Sequence, residues 1–95
     1  MAKSRKRLLE ELRQRKQSCA QSMADAALEA FGFIRGRSQG HAQVWAYKHI
    51  TITVHAPHGG KDMDPGAVAM VIRKIVEADL FQQAEAKKEK QEDVH

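Results

Sequence analysis

Cysteine is almost absent from the sequence. Cys19 is the only one in 95 residues, so no disulfide can form within the chain. That fits a reducing compartment. Cys19 falls on an apolar stripe, where a small buried hydrophobe is expected rather than a nucleophile. Long hydrophobic runs are also missing. No stretch approaches the roughly 18 apolar residues of a membrane span, and no apolar signal core follows the basic N-terminus. A soluble cytoplasmic protein with no membrane partner is expected. The CxxC and HExxH patterns do not occur, so neither a metal site nor a cofactor is expected. Proline is confined to Pro57 and Pro65, and no glycine or proline falls between Ser4 and Phe31. There is no internal repeat, and the length suits one domain with a small core.

Charge is present in quantity and unevenly spread. The net charge is +4. Residues 2–17 hold seven bases (Lys3, Arg5, Lys6, Arg7, Arg13, Arg15, Lys16) against Glu10 and Glu11. Residues 77–95 lean acidic, with Glu77, Asp79, Glu85, Glu89, Glu92 and Asp93 against three lysines. A basic arm of this kind suits a polyanion such as nucleic acid. It equally suits a solvated helix face.

The stretch from Ser4 to Phe31 is rich in good helix formers. Leu9, Leu12, Cys19, Met23, Ala27 and Ala30 recur at helical spacing. Either one long helix or two joined near Gln17–Ser22 fits, with Ser22 and Asp25 as an internal capping pair. Gly32 is a natural stop. Phe33–Arg37 is a short β-like run, and Ser38-Gln39-Gly40 is a turn signal. Ala42–Lys48 and Ile50–His55 alternate with period 2, so a hairpin is expected across Lys48-His49. The aliphatic residues Ala42, Val44, Ala46, Ile50, Ile52 and Val54 are expected inward. His41, Gln43, Trp45, Tyr47, Thr51, Thr53 and His55 are then expected on the open face. Asp64-Pro65 opens a last helix with an apolar stripe through Val68, Ile72 and Ile75, extended by Leu80 and Phe81. Beyond Gln83 there is little to bury.

The order is α-β-β-β-α. It predicts an α+β fold, a three-stranded antiparallel sheet with helices on one face, plus extended N- and C-terminal helical segments. Double-stranded-RNA-binding domains share this layout. The expected organisation is a basic helical arm over 1–21, an α+β domain over 22–82 and a charged extension over 83–95. The terminal helices are one route to a homo-oligomer.

Four of the five histidines (His41, His49, His55, His58) lie between positions 41 and 66, with the only Trp and Tyr. Over about residues 26–75 the chain resembles the HicA family of toxin mRNA interferases. The resemblance is carried by Gly32-Phe33, by Arg35, Arg37, Gly40 and His41, and by the loop of His55, Pro57 and His58. It continues through Lys61-Asp62-Met63-Asp64-Pro65-Gly66 and the helix with Ile72 and Ile75. It implies a dsRBD-like endoribonuclease that cleaves mRNA without a metal, and a HicB-like antitoxin that covers the active site. The catalytic position it matches is His41. An imidazole suits that role, because it can take or give a proton near neutral pH.

Arg35, Arg37 and Lys61, with Gly40, His55 and His58, are the further RNA-binding candidates. Trp45 and Tyr47 on an open sheet face would be base-stacking platforms; packing beneath the N-terminal arm is the competing expectation. The family usually reads Gly-Ser-His where this chain has Gln39-Gly40-His41. That difference motivates the alternative, a non-catalytic RNA-binding or protein-interaction module on the same fold.

Overall fold

The computed structural model describes residues 4–15, 17–55 and 62–93, with side chains described through residue 87. Helix α1 spans Arg5–Gln14, α2 Gln21–Ala30, and α3 Pro65–Asp93. Strands β1 (Ile34–Gln39), β2 (Ala42–Tyr47) and β3 (Ile50–His55) form one antiparallel sheet in the order β1-β2-β3. The α-β-β-β-α layout is the one read from the sequence, with the first helical stretch divided in two.

Local chemistry accounts for each boundary. The Ser4 side chain accepts a hydrogen bond from the Arg7 N–H at 3.2 Å and caps α1. The break before α2 coincides with Cys19, which is buried and whose carbonyl accepts the Met63 N–H at 2.8 Å. Ala20 stands at the N-cap of α2 with no side-chain cap, so Ser22 lies inside the helix and does not cap it. Gly32, at φ +92°, ends α2 in a Schellman arrangement. The Phe33 N–H reaches the Leu28 carbonyl and the Gly32 N–H that of Glu29, each at 3.0 Å. A Cβ at Gly32 would also come within 3.2 Å of the Tyr47 ring. Asp64 caps α3 through its Oδ2, which accepts from the Gly66 N–H at 3.0 Å.

One core unites these elements. Leu9 and Leu12 of α1 join Leu28 and Phe31 of α2, Ile52 and Val54 of β3, and Val68, Val71 and Ile75 of α3. The α3 stripe ends at Ala78, and Leu80 points to solvent, 60% exposed. Phe81 is half-buried and packs edge-on against Tyr47 and His49.

The sheet corrects the expectation for β2. Trp45 is buried at 0% exposure, and Tyr47 is half-buried against Phe33 and Phe81. Gln43, Trp45 and Tyr47 therefore share the inner face with Ile50, Ile52 and Val54, while Ala42, Val44 and Ala46 lie outward with Thr51, Thr53 and His55. The reason is register. The two-residue turn Lys48-His49 sets Tyr47 opposite Ile50, Trp45 opposite Ile52 and Gln43 opposite Val54, and directly opposed residues point to the same face. Trp45 therefore offers no open surface for stacking, and the Tyr47 ring lies on the inner face against Phe33 and Phe81.

β1 carries an irregularity between Arg35 and Ser38, where Gly36 and Arg37 together face Val44. Gln43 pins this bulge. Its Nε2 donates to the carbonyls of Gly36 (2.9 Å), Val44 (3.0 Å) and Arg37 (3.4 Å). Replacing Gln43 by Ala is expected to cost about 1 kcal/mol, the worth of one net hydrogen bond, read as a Tm lower by about 4–8 °C. An unchanged Tm would show that the bulge holds without it.

Candidate functional site

The hairpin between β1 and β2 closes on Gly40-His41, with Gln39 and Ala42 as its last pair. Gly40 takes φ +60°, and glycine leading a two-residue hairpin turn is what that geometry favours. The turn leaves His41 exposed at the end of the sheet. Ala42 pairs on its other side with His55, the last residue of β3, which is also exposed. Two exposed histidines thus sit at one end of the sheet, His41 in the turn that precedes β2 and His55 at the end of the neighbouring β3.

Arg37 belongs to this end as well. It is exposed, and it makes no ion pair with a described residue. The bulge sets it opposite Val44, two residues along β2 from the pair formed by Ala42 and His55. His58 and Lys61 lie outside the described residues.

Arg35 is held elsewhere. It lies opposite Trp45, four residues along β2 from His41, or about 13 Å at strand rise. Its guanidinium covers the indole at 4.9 Å and pairs with Asp25 at 3.5 Å and Glu29 at 3.8 Å. This is a cation–π stack closed by two carboxylates of α2. The site of Arg35 is the seam between sheet and helix, away from the histidines. Burial pushes the Asp25 carboxyl above its ordinary range, with Arg35 opposing and Glu29 adding to the rise. The same seam holds two buried polar atoms with no hydrogen-bond partner, Asp25 Oδ1 and Trp45 Nε1.

Cys19 behaves as the small hydrophobe expected. Burial raises its thiol, and the nearby charge of Asp62 raises it further, while a backbone hydrogen bond from Ala24 works the other way. A thiol so placed is a poor nucleophile. No group of three or more His, Cys, Asp or Glu side chains that could hold a metal ion occurs among the described residues. Among them, too, no helix is long and apolar enough to cross a membrane.

Reading the sequence missed Gln43, which was placed on the open face without a role. The signal was available: the turn length puts Gln43 opposite Val54, so its amide has to find backbone partners. The pairing of Arg35 with Asp25 and Glu29 was also missed. The two acids lie four apart on α2 and mark one face of that helix.

Comparison with curated proteins and with solved structures returns no match. Comparison with protein families returns one. The model of the HicA toxin of bacterial toxin–antitoxin systems matches residues 24–76. The match runs from within α2 to Val76 of α3, so it takes in the whole sheet, both hairpin turns and the His55–Asp64 connection. It leaves α1 and the distal part of α3 outside. With more than half of its 95 residues under that match, and with the sheet and flanking helices that the resemblance implies, the chain belongs to the HicA toxin family of bacterial toxin–antitoxin systems.

Proposed function

We propose that the protein is a toxin endoribonuclease that cleaves mRNA, with His41 as its catalytic residue and a HicB-like antitoxin as its partner. The observation that carries the reading is the placement of two exposed histidines, His41 in the β1–β2 turn and His55 at the end of β3, at one end of the sheet within the family-matched region. RNA supplies its own nucleophile. Removal of the proton from a 2′-hydroxyl lets that oxygen attack the adjacent phosphorus. The bond to the 5′-oxygen breaks, and the departing oxygen takes up a proton. The products are a 2′,3′-cyclic phosphate and a free 5′-hydroxyl. One base and one acid are required, and imidazoles serve both purposes near neutral pH.

In this reading His41 stands at the scissile phosphate and His55 assists, as acid or as an RNA contact. Arg37 holds a phosphate oxygen. Gly40 supports the reading through its backbone, since the tight turn presents His41. His58 and Lys61, in the connection after β3, complete the RNA-binding set. Arg35, Trp45 and Tyr47 are not in it, because they build the seam beneath the sheet.

Purified protein incubated with mRNA and EDTA is expected to yield fragments ending in a cyclic phosphate. RNA that stays intact under those conditions, and also when divalent ions are restored, would sink the proposal. Fragments only in the presence of added metal would preserve the ribonuclease and remove the metal-free chemistry.

A further inference from the structure

The placement of α1 carries an inference beyond the histidine end of the sheet. Helix α3 runs antiparallel to β3. Near one end, Phe81 packs on Tyr47 and His49 beside the β2–β3 turn, and Lys48 pairs with Glu85 at 3.8 Å. Toward the other, Met63 precedes α3 and its N–H reaches the Cys19 carbonyl. That is the end to which β3 leads through His55.

Helix α1 is oriented by the same two anchors. Its first residue, Arg5, donates to Gln82 and lies over the Phe31 ring at 5.7 Å, and the amide of Gln82 continues to the Phe31 carbonyl at 2.7 Å. This fixes the start of α1 at the Phe81 end of α3, the end opposite His41 and His55. Its last turn and cap, Arg13 and Arg15, run on toward Cys19 and so to the His41 end. Burial of Leu9 and Leu12 holds the helix in that direction.

The basic residues of α1 are therefore not equivalent. Arg5 is engaged with Gln82 and Phe31, and Arg7 pairs with Glu11. Arg13 pairs only with Glu10, at 3.8 Å with both side chains about half exposed, an arrangement worth little in water. Arg15 is exposed and pairs with no described residue. Glu10 is the acid that pairs with Arg13, and Asp64, before α3, is committed to capping that helix. All of α1 lies outside the family-matched region.

We infer that Arg13 and Arg15, at the C-terminal end of α1, form a phosphate-binding surface that extends the RNA track beyond His41. The inference rests on the RNA reading of the histidine site. It makes α1 an addition of this chain to the family domain, used to grip RNA at a distance from the scissile bond.

The test uses the full chain carrying His41→Ala, so that RNA is bound and not cut, with a fluorescein-labelled single-stranded RNA oligomer as probe. Arg13→Gln with Arg15→Gln is expected to weaken binding about tenfold at low salt. It should also flatten the dependence of log affinity on log salt by about 1.4, the effect of two fewer phosphate contacts on a single strand. Arg13→Lys with Arg15→Lys is expected to restore most of the affinity, because a phosphate contact needs charge more than shape. Lys6→Gln with Arg7→Gln, toward the far end of the same helix, is expected to change little. Unchanged affinity in the Arg13/Arg15 pair, or an equal loss in the Lys6/Arg7 pair, would overturn the inference and leave the histidine site standing. A loss of antitoxin binding with RNA affinity intact would assign the surface to protein contact and overturn it too. If the parent chain binds no RNA at any salt, the RNA reading itself has failed.

Discussion

Replacing His41 with alanine is expected to lower the rate of RNA cleavage by about 100- to 10,000-fold, the usual worth of a positioned general acid or base. The fold should survive. His41 is exposed in a two-residue turn whose geometry is set by Gly40 and by the last pair, Gln39 and Ala42. Substitution of such a surface side chain normally moves stability by no more than about 0.5 kcal/mol. The variant should therefore melt within a few degrees of the parent while its RNA stays whole.

In cells the same substitution is expected to abolish the growth arrest that follows induction of the unmodified chain. His55→Ala provides the comparison. His55 lies next to the turn, opposite Ala42, and in the assisting role its loss should cost less than that of His41. A loss at His55 equal to that at His41 would make the two a matched acid and base. Full activity in the His41 variant would leave the chain in the toxin family and remove the chemistry assigned to this turn.

Much of the architecture was legible because the local signals agree with the global fold. Gly32, Asp64-Pro65 and the two alternating runs each mark a boundary that the structure keeps. The orientation of β2 was misread for a specific reason. Alternation sorts residues into two faces but does not say which face is inward. The aliphatic set Ala42, Val44 and Ala46 looked like the buried one. Yet two alanines and a valine bury far less apolar surface than an indole and a phenol ring. Turn length settles the matter, since a two-residue link at Lys48-His49 forces Trp45 onto the face of Ile52.

At the site, the turn histidine was legible from its glycine neighbour, and His55 from its place at a strand end. That both lie at one end of the sheet was legible only once the pairing of Ala42 with His55 was known. The fate of the arginines was not legible at all. Arg35 and Arg37 look alike in sequence, but the bulge at Gly36 separates their surroundings. It sends the first to Asp25 and Glu29 and leaves the second in solvent.

Trp45→Ala carries the largest expected effect on stability. The indole is wholly buried, lies opposite Ile52, and is covered on its β1 side by the Arg35 guanidinium. Truncating a buried Trp to Ala typically costs about 3–5 kcal/mol, because contacts are lost and a cavity remains. Domains of this size have roughly 5–15 kcal/mol in total. The variant should melt at least about 12 °C lower and populate unfolded chain at physiological temperature.

Trp45→Phe is expected to lose much less. It keeps most of the apolar surface and removes an indole N–H that has no hydrogen-bond partner. This pair of variants separates a core role from an RNA-stacking role. Trp45 is the only tryptophan, so its emission reports on that position alone. RNA added to the chain carrying His41→Ala should leave the emission unchanged, and Trp45→Phe should bind RNA as tightly as its parent. Quenching by RNA, or a weakened complex in the Phe variant at unchanged stability, would return Trp45 to the substrate surface. It would also mean that the sheet opens between Arg35 and α2 when RNA arrives, since no part of the indole is accessible while those ion pairs are closed.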